Sequence, residues 1–192
     1  VSASPVLLYL HGFNSSPQSL KAEQMRTLVA QREGIEWLCP QLACHPMDAW
    51  RQIEQLVRAH QGRPLGVIGS SLGGFLATRV AEHFGARAVL INPAVQPYNL
   101  LKDYLGPQLN PYTQQHYQLE PQHIDELRAL EVAELSCASR LWVLLQTDDE
   151  ILDYRLAERE YARARLTIEQ GGDHSFQGFQ RYCPDILSFL FD

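Results

Sequence analysis

The pentapeptide Gly69-Ser70-Ser71-Leu72-Gly73 sets two adjacent serines between glycines. It fits G-x-S-x-G, a sharp strand-to-helix turn that raises a serine hydroxyl above a sheet. In that frame Ser71 is the nucleophile and Ser70 the variable residue. The glycines have a steric reason: side chains at Gly69 and Gly73 would collide with neighbouring backbone. A plain flexible turn would have the same composition, so partners elsewhere must decide. A lone hydroxyl is a poor nucleophile near neutral pH and needs a base and an acid.

Three further stretches supply candidates. In "EQGGDHSF" (169–176), paired glycines let a loop swing His174 toward Ser71, with Asp173 shaping the loop. In "QTDDEILDY" (146–154), Asp149 sits in the small-x-Asp-x-apolar-apolar frame that hydrolases of this class often show. Asp148 is the competing acid, and Asp153 falls where a helix should start. The order Ser71, Asp149, His174 is that of α/β-hydrolases. In "YLHGFNSS" (9–16), the amide of Phe13 is placed to donate to an oxyanion, with the Leu72 amide as second donor. His11 is a bracing residue that could also line a substrate pocket. The remaining histidines fit worse: His60 and His83 lie near helix ends, His45 in a connection, and His116 and His123 in an excursion.

The elements needed to hold these residues are legible as alternation. Apolar runs at 5–10, 35–39, 65–69, 88–92, 141–146 and 165–169 read as strands. Helical patterns occupy about 18–32, 47–60, 72–84 and 152–163, with a closing helical segment to 190. Strand-helix alternation with continuous apolar strands means an α/β fold, a mostly parallel sheet with helices on both faces. Ligands in such sheets bind beyond the carboxyl ends of the strands, where all the candidates fall. Residues 93–135 break the rhythm: five of eleven prolines and four of eight tyrosines lie there. That is too long and too proline-rich for an ordinary connection, and it reads as a small, partly helical cap inserted in a single domain. A surface excursion with no role in binding is the alternative.

Composition excludes several classes. The 192 residues suit one domain, and a net charge of −6 argues against a nucleic-acid partner. Only Lys21 and Lys102 are lysines, and no basic run occurs. Cys39, Cys44, Cys137 and Cys183 form no disulfide framework, and Cys39-x4-Cys44-His45 lacks the second half of a metal site. Buried free thiols in a cytoplasmic protein account for them. The start, "VSASPVLLYLHG", lacks a basic region and the length of a signal or spanning segment. Its lack of an initial Met is expected of a processed or replaced start. No GK[ST] or GxGxxG signature indicates a nucleotide or flavin cofactor.

The blocks "LLYLHGFNSSP", "GSSLGGF", "NPAVQPYNLL", "NPYT", "LEPQHIDELRALEV", "LLQTDDEILDYR" and "GGDHSFQGFQRY" run through nearly the whole chain in one order. In them the sequence resembles the YqiA-type small bacterial esterases of the α/β-hydrolase superfamily. The resemblance implies an α/β-hydrolase fold with a small helical cap, and cytoplasmic hydrolysis of carboxylic esters on Ser71, Asp149 and His174. Asp148 departs from the pattern, standing where a small residue is usual.

The expected reaction is serine-esterase hydrolysis of short or medium acyl esters, without metal or cofactor. Tyr98, Leu101 and Tyr104 of the excursion are candidate substrate contacts. Two other readings compete. One is a thioesterase with the same three residues, with Lys21, Arg26 and Lys102 as undirected phosphate contacts. The other is a hydrolase-fold binding protein without turnover. Oligomeric state is open.

Overall fold

The computed structural model describes residues 3–192. Val1 and Ser2, part of the expected processed start, lie outside them. Six strands form one parallel sheet: β1 (Val6–Leu10), β2 (Glu36–Leu38), β3 (Leu65–Ser70), β4 (Arg87–Ile91), β7 (Leu141–Gln146) and β8 (Arg165–Glu169). Their spatial order is β2-β1-β3-β4-β7-β8. The chain leaves β1 toward β2, then returns to build β3 on the other side. The winding therefore reverses at β1 and β3, which opens a crevice beyond their carboxyl ends. β1 is register-locked by Leu10 opposite Gly69, so the segments after both strands emerge side by side.

Alternate residues of the central strands feed separate cores. Leu8 and Leu10 face one layer, while Leu7 and Tyr9 face the other. The first layer holds α2 (Pro46–Ala59), α3 (Leu72–Phe84) and the short α6 (Tyr154–Glu160). α2 owes its position to Trp50, Ile53 and Val57, spaced to one face and all buried. The second layer holds α1 (Leu20–Ala30) and α7 (Cys183–Phe191), through Met25, Val29, Ile186 and Leu190. Burial on both faces is why these strands read as unbroken apolar runs. Among the described residues no helix is long and apolar enough to cross a membrane. The four cysteines are free, and only Cys183 is buried. The expected burial of all four is corrected for Cys39, Cys44 and Cys137, which are half-exposed at element ends and loops.

Residues 93–135 leave the sheet after β4 and return to β7. The segment is partly helical, as the sequence reads, and also carries a hairpin that the sequence did not indicate. It runs as α4 (Pro97–Leu101), an antiparallel hairpin of β5 (Gly106–Leu109) and β6 (His116–Leu119), then α5 (Pro121–Leu130). The hairpin has a local cause in "NPYT". Asn110 Oδ1 accepts the amides of Tyr112 and Thr113 at 2.8 and 3.2 Å. Gln114 then takes a positive φ of 62° and closes the turn. α5 docks on the first layer through Ile124, Leu127 and Leu130. At its start His123 stacks on His45 at the head of α2, with ring centroids 3.8 Å apart.

Candidate functional site

Ser71 is the residue between β3 and α3. Its φ of 57° and ψ of −118° lie outside the regions open to most L-residues. The strain is imposed by neighbours on both sides. A Cβ on Gly73 would come within 3.0 Å of Leu10 O, Leu10 C and His11 O. One on Gly69 would meet the Gly73 carbonyl and Ala77 Cβ inside the same limit. Strand and helix thus approach too closely for any side chain there. Ser70 ends β3 and is 8% exposed, so only Ser71 sits at the bend.

His174 belongs to the loop after β8, on the far side of β4 and β7 from Ser71. Its Nε2 lies 3.0 Å from Ser71 Oγ. Its Nδ1 lies 2.9 and 3.0 Å from the two carboxylate oxygens of Asp149. The Asp149 side chain is 2% exposed. Its Oδ1 also accepts the amides of Ile151 and Leu152 at 2.9 and 2.8 Å, which holds the carboxylate in a turn after β7. Asp148 is exposed and does not meet His174. Asp153 caps α6 by accepting the Arg155 amide at 3.0 Å.

Two buried amides, unremarked in the sequence, carry the His174 loop across the sheet. Asn92, 2% exposed at the end of β4, donates Nδ2 to the carbonyls of Asp173 and His174 at 3.1 and 3.0 Å. Its Oδ1 accepts the Gln146 amide at 3.1 Å. Gln146 Oε1 accepts the amides of Asp173 and Gln177, while its Nε2 donates to Glu169 and the Gln177 carbonyl. Every hydrogen-bonding position of the Gln146 side chain is filled. The only sequence signal was a polar residue at the end of each apolar strand.

The loop after β1 forms the other wall. Neither the Phe13 nor the Leu72 amide finds an acceptor among the described residues. Both residues border a cleft of about 360 Å³ that also exposes Ser71 and His174. His11 is 4% exposed and both ring nitrogens are engaged: Nδ1 with Gly12 O at 2.9 Å, and Nε2 as acceptor of the Leu42 amide at 2.9 Å. Burial pushes its pKa down, against a smaller opposite effect of the Gly12 carbonyl. His11 is thus a neutral brace, and it also lines the small recess behind Phe13 and Leu72.

Of the candidates in the 93–135 segment, Leu101 and Tyr104 border the cleft. Tyr104 meets Phe13 edge to face, with centroids 5.9 Å apart. Tyr98 does not reach it, which corrects its expected place among the substrate contacts. Its hydroxyl donates to Glu131 at 3.1 Å, and Arg128 covers its ring, so it packs the segment onto itself. Sequence reasoning missed Ile151 and Asn14 at the cleft. Asn14 ties this wall to the hairpin by accepting the Tyr117 hydroxyl and donating to Gln108 Oε1. Burial pushes the Tyr117 phenol up to about 12. Behind Phe13 and Leu72 lies a smaller apolar recess of about 40 Å³, bounded by Leu42, Leu76, Leu119 and Leu127. No group of three or more His, Cys, Asp or Glu among the described residues is arranged to hold a metal ion.

Residues 6–191 match the model of the Uncharacterised protein family (UPF0227). The chain belongs to the UPF0227 family. It is the YqiA-type family that the sequence blocks resemble. A UPF0227 protein of Shewanella oneidensis strain MR-1 is 23% identical over 190 residues, spanning 96% of this chain and 98% of the relative. Solved structures place this UPF0227 member in the α/β-hydrolase fold. Alpha/beta hydrolase domain-containing protein 10 from mouse superposes with a TM-score of 0.74 at 14% identity, covering 98% of this chain and 91% of that one. Est1E from Butyrivibrio proteoclasticus gives 0.72 at 11% identity, covering 98% and 88%.

Proposed function

We propose that this UPF0227 protein is a serine esterase that cleaves carboxylic esters of short or medium acyl chain through an acyl-enzyme on Ser71. The observation that carries the reading is the hydrogen-bonded chain Ser71 Oγ–His174 Nε2–His174 Nδ1–Asp149, with links of 3.0 and 2.9 Å. His174 takes the Ser71 proton as Oγ bonds to the ester carbonyl carbon. The oxyanion so formed accepts the amides of Phe13 and Leu72, each worth about 3 kcal/mol of barrier. The tetrahedral adduct breaks its bond to the leaving oxygen, which takes the proton back from His174. Water, deprotonated by His174, then adds to the acyl carbon and frees Ser71. The products are a carboxylic acid and an alcohol, and no metal or cofactor takes part in these steps. Asp149 accepts Nδ1–H throughout and stabilises the imidazolium.

The apolar recess beyond Phe13 and Leu72 supports an acyl chain on that side, and its small size favours the short end of the range. In this reading the 93–135 segment is a cap, contributing Leu101 and Tyr104 to substrate binding. The reading keeps a cytoplasmic site of action and a small-molecule substrate. Of the cations considered for a thioesterase, Arg26 is paired with Glu23 on an exposed face and Lys102 is exposed.

Fluorophosphonate labelling, with the adduct mapped by mass spectrometry, tests the reading. A single adduct on Ser71, retained in Ser70→Ala and absent from Ser71→Ala, together with ester hydrolysis lost in the same variant, is the expected result. Folded protein that takes no label and hydrolyses no ester would overturn it in favour of a binding protein.

A further inference from the structure

Lys21 is one of only two lysines in the chain, and the fold brings it to the cleft that holds Ser71 and His174. It stands in the first turn of α1, half-buried, with its Nζ donating to the Ser175 carbonyl at 2.8 Å. An ammonium carries three donors. Among the described residues this carbonyl is its hydrogen-bond partner, and no carboxylate comes within the 4.0 Å of an ion pair. Asp173 and Asp149 act on the ammonium only from beyond that distance, so a partly desolvated cation is left without a contact ion pair. Lys21 lines the cleft, and two of its three donors have no protein acceptor among the described residues.

The position also specifies which part of a substrate would meet it. Ser175 directly follows His174, the group that returns a proton to the leaving oxygen in the proposed esterase. The oxyanion donors at Phe13 and Leu72 border both this cleft and the apolar recess, whereas Lys21, His174 and Ser175 line the cleft alone. The acyl chain and the leaving group therefore face different chemistry: aliphatic side chains for the first, an ammonium for the second.

The geometry points to Lys21 as a specificity residue that binds an anionic group, carboxylate or phosphate, on the alcohol or thiol side of the scissile bond. This rests on the esterase reading of the same site and narrows its substrate class. The environment of the lysine agrees. Burial pulls its pKa down to about 8, with Asp173 and Asp149 acting in the opposite direction. His174, Glu150, Tyr104 and Tyr112 complete the ionisable groups around the cleft. An anion beside Nζ would raise that value, so binding and protonation reinforce each other.

The test compares matched esters with one acyl group. O-butyrylglycolate is set against its neutral methyl ester, and butyryl glycerol phosphate against butyryl glycerol. Acid release is followed in a pH-stat. The wild type should prefer the charged member of at least one pair by about 10-fold or more in kcat/KM, the usual worth of a hydrogen bond to a charged group. Which pair shows the preference tells carboxylate from phosphate. The preference should shrink as pH rises through about 8, where free Lys21 loses its proton. Any pH effect on the chemical step shared by the two esters cancels in the ratio. Lys21→Gln should abolish the preference and its pH dependence, and Lys21→Arg should retain the preference. A residue that merely braces the His174 loop would lower both rates and leave the ratio intact. That outcome, or a wild type without preference, overturns the inference. A second readout avoids turnover. In Ser71→Ala, the Lys21 side-chain NMR signal, assigned with Lys21→Arg, should titrate upward on adding the anionic esters but not the neutral ones. If that shift occurs while the wild type hydrolyses nothing, anion recognition stands and the esterase reading falls. No shift with either anionic ester removes the assignment.

Discussion

Asp149→Asn tests the role proposed for Asp149, with a magnitude that follows from its contacts. Asp149 Oδ1 accepts two backbone amides, from Ile151 at 2.9 Å and Leu152 at 2.8 Å. Only an oxygen can face two N–H donors. The carboxamide introduced by the substitution therefore turns its oxygen to the backbone and its NH2 to His174 Nδ1. Nδ1 must then accept, so the imidazole proton moves to Nε2 and points at Ser71. A protonated Nε2 cannot take the serine proton. The reverse rotamer sets the NH2 against two backbone donors and costs about 1–3 kcal/mol for each. The two penalties are comparable, so kcat should fall by about 10³ to 10⁴, or about 4–5 kcal/mol. The shape of the side chain is unchanged, and the fold should be retained. The assay is kcat on a neutral short-chain ester for wild type, Asp149→Asn and Asp148→Asn. Melting temperatures and ¹⁵N histidine shifts identify the fold and the protonated nitrogen. Asp148 is exposed and should matter by less than about threefold. A folded Asp149→Asn enzyme within about 10-fold of wild type would refute the tautomer argument. So would an equal loss in Asp148→Asn.

Other consequences follow from packing and burial. Gly73→Ala drives a methyl into the Leu10 and His11 carbonyls, and it should cost about 3 kcal/mol or more in denaturant unfolding, or prevent folding. Gly34→Ala has open space around it but a φ of 89°, so its cost should be smaller, near 1 kcal/mol in the same titration. Gln146→Leu removes four hydrogen bonds, three to the His174 loop and one to Glu169 of β8. It should lower kcat far more than it raises KM and destabilise the fold by about 2–5 kcal/mol, measured by steady-state kinetics and urea denaturation. His11 has a folded-state pKa below its ordinary 6.5, so the unfolded chain binds its proton first on acidification. Its contribution to stability is complete above about 6.5 and shrinks as pH falls, by at most about 1.4 kcal/mol per pH unit. His11→Gln should lack that part of the slope when unfolding is measured between pH 7 and 5.

The sequence by itself was sufficient for the elements that obey local rules. Runs such as "VLLYL" and "LWVLL" are apolar at every position because the sheet is buried on both faces, and that alone implies parallel strands under helices. Gly69 and Gly73 announced the elbow because a close approach of strand and helix permits nothing larger. The order of Ser71, Asp149 and His174 could be read for the same reason, since each stands just past a strand end. What the sequence left open were relations across the sheet. Asp148 and Asp149 are neighbours in the chain, and only the turn after β7 buries one carboxylate and exposes the other. The excursion was legible as partly helical, but not its hairpin, which depends on the Asn110 side chain folding back on Tyr112 and Thr113. Asn92 and Gln146 gave no motif, since a tether is defined by what it reaches and their partners lie far along the chain. Tyr98 and Lys21, both candidate contacts in the sequence, part ways for that reason too. The tyrosine turns to Glu131, and the lysine, from the opposite end of the sequence, reaches the cleft. Periodicity and turn sterics are local and leave their mark in the chain, whereas the partners of a polar side chain are chosen only when the layers close.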